Sequence, residues 1–183
     1  MKKLILIVFL ISASIGNFYS QTPLEKEVLN QLNIYRKQHG LKSVQIDTTI
    51  SRIALYHSKY LVECHKINHV AHYDKLPHDE QFDIKSFIEK NFDQRVAMAP
   101  DKNIWGEIQM GYMVSKFGAT NIEIAKEIIE SFDSSPNHKE IMLAGDNPKL
   151  LNLVGISVIQ IEKNDNGYDA FVVNIDFGAT WAN

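Results

Sequence analysis

The stretch Phe132-Asp133-Ser134-Ser135-Pro136-Asn137-His138-Lys139-Glu140-Ile141-Met142 reads as a corner between two helices. Ahead of it, Ile122, Ala125, Ile128, Ile129 and Phe132 recur on one side of a helix that Asn121 is placed to cap. Ser135-Pro136 then restarts a short helix, because proline suits the first helical position, where its missing N–H is not needed. His138 falls in the first turn of that second helix. Free N–H groups and the positive end of the helix dipole disfavour an imidazolium there, and neutral imidazole is the metal-binding form. The plainer reading of the same residue is a surface histidine filling a first-turn position.

Beyond the corner the period changes from helix to strand. Val154, Ile156 and Val158 alternate with Gly155 and Ser157, and Phe171, Val173, Ile175 and Phe177 alternate with Val172, Asn174 and Asp176. Asn164-Asp165-Asn166-Gly167 between them supplies residues that tolerate positive φ, which predicts an antiparallel hairpin. Upstream, Thr22-Pro23-Leu24-Glu25 combines an N-cap, a proline and a capping-box glutamate. Leu24, Val28, Leu32 and Tyr35 then follow at helical spacing until Gly40, a C-terminal stop. Asp47 can cap a second helix, with Ile50, Ile53, Ala54, His57, Leu61 and Cys64 on its inner face, fading near Asn68. A third helix is expected around Asp83 to Asn91, and Pro77 and Pro100 bound a stretch that otherwise reads as loop. Helices first and strands late predict one α+β domain with helices covering an antiparallel sheet.

Met1-Lys2-Lys3 followed by an apolar run from Leu4 to about Ile15 has the form of a secretory signal. A spanning helix needs roughly 18 or more apolar residues, so stable membrane insertion is not expected. Cutting after Ser20 leaves Gln21 first, while cutting after Gly16 places small Ser14 and Gly16 at the site. A signal over residues 1–20 is the expectation, with residues 21–183 forming a single domain whose product is secreted or periplasmic. Removing Lys2 and Lys3 moves the net charge from -3 to -5, which leaves no basic footprint for nucleic acid. The lone cysteine, Cys64, excludes an internal disulfide and reads as a small buried hydrophobe.

Three further features bear on chemistry. His72 lies in the loop Val70-Ala71-His72-Tyr73-Asp74, with His69 as its rival, and Glu107 sits in Trp105-Gly106-Glu107-Ile108. Taken alone, the first is ordinarily a solvated loop histidine and the second an exposed acid. Cys64, His65, His69 and His72 also cluster, and His65 with His69 has the i, i+4 spacing of a helical metal clip, but without a second cysteine or an HExxH glutamate. His57, inside an apolar stripe, reads as a hydrogen-bonded core histidine. Asp176-Phe177-Gly178 matches a kinase triplet by accident, since no phosphate-gripping glycine loop accompanies it.

In combination these segments resemble the CAP superfamily of cysteine-rich secretory, antigen 5 and pathogenesis-related 1 proteins, and within it the compact bacterial SCP-like members. Leu32-Asn33-Ile34-Tyr35-Arg36 and His39-Gly40-Leu41 are similar to the family's opening helix, and Ala54-Leu55-Tyr56-His57-Ser58 to its second. Gly106-Glu107 stands where the family has Gly-Glu-Asn, the 132–142 corner resembles its Trp-x-x-Ser-Pro-x-His segment, and Val154-Gly155-Ile156 opens the next strand. The likeness runs from Leu24 to Gly178. It implies a three-layer α-β-α sandwich and a central cleft lined by two His and two Glu that in several members binds a divalent metal such as zinc. Carried over, the matched residues are His72, Glu107 and His138. The second Glu falls on Ser135 and the Trp on Phe132, with Glu130 as a substitute within the same helix, and Ile108 replaces the Asn after Glu107. One carboxylate fewer compensates a dication less well.

The resemblance implies a binding module for a small ligand, lipid, peptide or cell-wall fragment, and no nucleophile paired with a base argues for an enzyme. A second reading is a metal-dependent hydrolase in which His72, Glu107 and His138 hold a metal with bound water. A third is a scaffold acting only through its surface.

Overall fold

The computed structural model describes residues 20–68, 92–144, 151–164 and 168–180. Within them run α1 (Pro23–Gln38), β1 (Gln45–Ile46), α2 (Thr48–Asn68), α3 (Phe92–Val96), β2 (Lys102–Lys116), α4 (Asn121–Asp133), α5 (Pro136–Met142), β3 (Leu153–Asn164) and β4 (Tyr168–Thr180). The signal segment and the helix expected over 83–91 lie outside the described residues, as do His69 and His72.

Local chemistry starts and stops these elements as the sequence implies. Thr22 Oγ1 accepts from Glu25 N–H while Glu25 Oε2 accepts from Thr22 N–H, closing a capping box. The other oxygen of Glu25 accepts from Val158 N–H at 3.2 Å, so the same side chain fastens α1 to β3. Gly40 takes a φ of +72° just past the end of α1, where a Cβ would be strained. Asp47 Oδ1 receives the N–H groups of Thr49 and Ile50 and caps α2. For α4 the cap is Thr120, not Asn121: Thr120 holds the extended backbone a cap requires and forms a reciprocal box with Glu123.

The strands form one sheet in the order β1-β3-β4-β2. The expected β3–β4 hairpin is antiparallel, with Asn164 opposite Tyr168 and Val154 opposite Phe177. β2 joins the other edge of β4 antiparallel, whereas two-residue β1 lies parallel to β3, so the sheet is mixed rather than purely antiparallel. The sequence reading assigns no strand to 102–116. Register shifts between Ile104 and Gly106 and between Met110 and Met113 interrupt the two-residue alternation.

Two apolar layers flank the sheet. On one face Val28 and Leu32 of α1 and Ile128 and Phe132 of α4 pack with Val154, Ile156, Val173, Ile175 and Phe177. On the other, Ile50 and Ile53 of α2 meet Ala99, Ile104 and Leu153, with Phe92 and Val96 of α3 beside them. The result is an α-β-α sandwich. α2 lies so close to β3 that a Cβ on Gly155 would sit 2.3 Å from the backbone carbon of Ile50.

Candidate functional site

β2 and β4 place Glu107 opposite Asp176 and Gln109 opposite Asn174. These four have the phase opposite to Ile108, Val173, Ile175 and Phe177, so they project from the face covered by α2 and α3. There Arg95 Nη2 of α3 donates to both oxygens of Glu107, at 2.6 and 2.7 Å. His57 of α2 brings Nε2 to 3.7 Å from Glu107 Oε1 and into hydrogen-bond contact with Gln109 Oε1. Asn174 Nδ2 lies 3.4 Å from Glu107 Oε2 and from Asp176 Oδ2, bridging the two carboxyl groups.

This layer is sunk in the fold. Asn174 and Asp176 are fully buried, and the Arg95 side chain is 4 % exposed against 13 % for that of Glu107. Burial pushes the Asp176 carboxyl well above the usual range, the Glu107 charge and hydrogen bond add to the rise, and Arg95 opposes it. One guanidinium therefore serves two acids, and the pair is accommodated by keeping a proton on Asp176. Asp176 Oδ1 and Asn174 Oδ1 are buried with no hydrogen-bond partner among the described residues.

His138 lies on α5, beyond the corner that follows α4. Its ring meets Phe132 edge-on, with centroids 5.2 Å apart at 89°. Its helix is set by the corner around it: Asp133 accepts from Tyr35 Oη and pairs with Lys139 Nζ at 2.8 Å, and Arg36 Nη1 donates to Met142 O at the end of α5. Ile141 of α5 lies over Gly106, 3.0 Å from where a Cβ would be. Its neighbour Glu107 turns the other way, toward α2 and α3. The described residues contain no group of three His, Cys, Asp or Glu arranged to hold a metal, so His138 and Glu107 do not form part of one there. Ser135 caps α5 without a side-chain hydrogen bond, and Glu130 is exposed.

As a ligand for a dication, Glu107 is a poor fit. Both its oxygens are taken by a permanent cation whose charge would repel the metal. The sequence reading passed over Arg95, Asn174 and Asp176 as site residues. The signal lay in the strand pattern: a polar phase on a strand covered by helices on both faces has to be buried.

The model of the CAP, cysteine-rich secretory protein, family matches residues 29–174. The chain belongs to the CAP family. No curated protein matches the chain. Among solved structures this CAP domain is similar to an outer surface protein from Borrelia burgdorferi, with 17 % identity, a TM-score of 0.46, and coverage of 88 % of this chain and 96 % of that one. The CAP match begins within α1 and ends at Asn174, so it spans the Arg36 clamp, the Arg95–Glu107 pair and the 132–142 corner. No helix among the described residues is long and apolar enough to cross a membrane.

Proposed function

We propose that this CAP domain is an exported binding module that takes a small polar ligand, a peptide or a cell-wall fragment at the layer formed by Glu107, Arg95, Asn174 and Asp176. One observation carries the reading. Buried polar groups cost stability unless satisfied, and among the described residues this layer keeps two acceptor oxygens without partners. A ligand bearing N–H or O–H groups supplies what they lack. Such a layer suits a lipid tail poorly. The Lys2-Lys3 start and the apolar run after it support export.

The competing hydrolase needs His72, Glu107 and His138 around one metal, and the Arg95 pairing stands against it. Two measurements on purified mature protein test the proposal. Titration calorimetry with a soluble muropeptide should show binding that Glu107→Gln weakens at least tenfold. Zinc content should be negligible in wild type, His72→Ala and His138→Ala alike. Stoichiometric zinc, together with peptide or ester turnover abolished in His138→Ala, would overturn the binding-module reading.

A further inference from the structure

Just ahead of α1 stands a polar group that neither the core nor the Glu107 layer uses. Gln21 Nε2 is buried with no hydrogen-bond partner, and a buried donor left without an acceptor costs stability. On one side of Gln21 is Thr22, the N-cap of α1, whose N–H is already held by Glu25 Oε2 at 2.8 Å. On the other side is Ser20, exposed and outside any helix or strand. The Ser20–Gln21 bond therefore lies in accessible chain, while everything from Thr22 onward is locked into the helix start.

Export with cleavage after Ser20 leaves Gln21 as the first residue. Its new α-amine stands at the positive end of α1, where a cation is disfavoured. Such an amine loses its proton near pH ~8, so part of it is nucleophilic at neutral pH. The side-chain amide carbon Cδ belongs to the same residue, which makes attack intramolecular and spares the entropy of bringing two reactants together. The N–Cδ bond forms, the Cδ–Nε2 bond breaks, and Nε2 leaves as ammonia carrying the proton that the amine gives up. No oxidant, reductant or second substrate is consumed.

From the unpaired Nε2 and its place in the first residue left by that cut, we infer that the mature chain begins with a pyroglutamate made from Gln21. Ring closure removes the orphan donor and the terminal charge together. It changes no atom of Thr22, so the capping box with Glu25 stays intact. A lactam also presents no α-amine, which leaves aminopeptidases nothing to grip at the start of α1. The inference rests on the export part of the binding-module reading and not on the Glu107 layer.

The test is the intact mass of protein exported through its own leader, taken without digestion. The expected species is residues 21–183, lighter by one ammonia and with no amine to react with phenyl isothiocyanate. Gln21→Glu lies outside every helix and strand, so folding is not at stake. It should be cut at the same bond and keep a reactive amine, because a carboxylate is a far poorer acyl group than an amide. A chain that starts elsewhere, such as at Asn17, would overturn the inference. So would one that starts at Gln21 with its full mass and a free amine, or a blocked terminus in Gln21→Glu. Retention of the leader would sink export as well, whereas muropeptide binding is read at Glu107 and stands or falls separately.

Discussion

Arg95 is the residue on which the buried acids depend. Its Nη2 reaches both oxygens of Glu107, and its charge is what opposes the rise in the Asp176 carboxyl. Removing one partner of a buried ion pair leaves the other desolvated and uncompensated, a loss of about 3–5 kcal/mol. Arg95→Met should therefore lower the urea unfolding free energy by roughly 3 kcal/mol. Arg95→Met combined with Glu107→Gln should recover at least half of that, because the stranded charge is gone. A double variant no more stable than Arg95→Met would show that Arg95 acts through packing alone. Sequence legibility at this scale divides by how local the interaction is. Thr22, Asp47 and Gly40 announce themselves, since a cap or a left-handed stop involves residues within four positions. Arg95 does not: it meets Glu107 twelve residues on and Asp176 still further, and nothing in Phe92-Asp93-Gln94-Arg95 marks which carboxylate it will find. His57 was readable as a hydrogen-bonded core histidine because an imidazole on an apolar helical stripe needs a partner, although Gln109 as that partner was not.

Among the elements, α2 and β3 show how close packing fixes the layer that carries the polar groups. Gly155 faces α2, and a Cβ there would come within 2.5 Å of Ile50 C, Ser51 N and Ile50 O, all backbone atoms that cannot swing aside. Gly155→Ala must push the helix off the sheet, and overpacking of this kind costs about 1–3 kcal/mol or more. We expect the upper end of that range in urea titration, with His57 moved away from Gln109 and Glu107. A cost below about 0.5 kcal/mol would mean that α2 shifts freely over the sheet. Helices α1, α2, α4 and α5 were legible because their apolar stripes are continuous, and the hairpin because both strands alternate cleanly, whereas α3, five residues long, shows no such stripe. β2 was not legible, since its two register shifts move the inward phase from Ile104 to Glu107 and then again before Met113. That strand carries Glu107, so missing it also hid which way Glu107 points.

For the molecule as a whole, the two faces of the sheet do different work. The α1–α4 face is a continuous apolar core, while the α2 face interrupts its core with charge, and the interruption has a signature in global stability. The Asp176 carboxyl is held protonated in the native state by burial and by the Glu107 charge, whereas in the unfolded chain it ionises near pH ~3.9. Between that pH and its raised native midpoint the folded protein binds the additional proton, so stability falls as pH rises, by about 1.4 kcal/mol per pH unit from this group. Other acids such as Glu123 and Asp133, whose values are lowered by Thr120 and by Lys139 with Tyr35, push the other way. They are common to wild type and variant and cancel in a difference. Asp176→Asn keeps a donor toward Glu107 and has nothing to titrate. Its stability relative to wild type should thus increase as pH rises from about 4 toward the raised native midpoint of Asp176. Urea unfolding of both proteins across that range measures the difference directly. A constant difference would place Asp176 ionised in the fold at every pH, and with it Arg95 would have to neutralise two carboxylates at once.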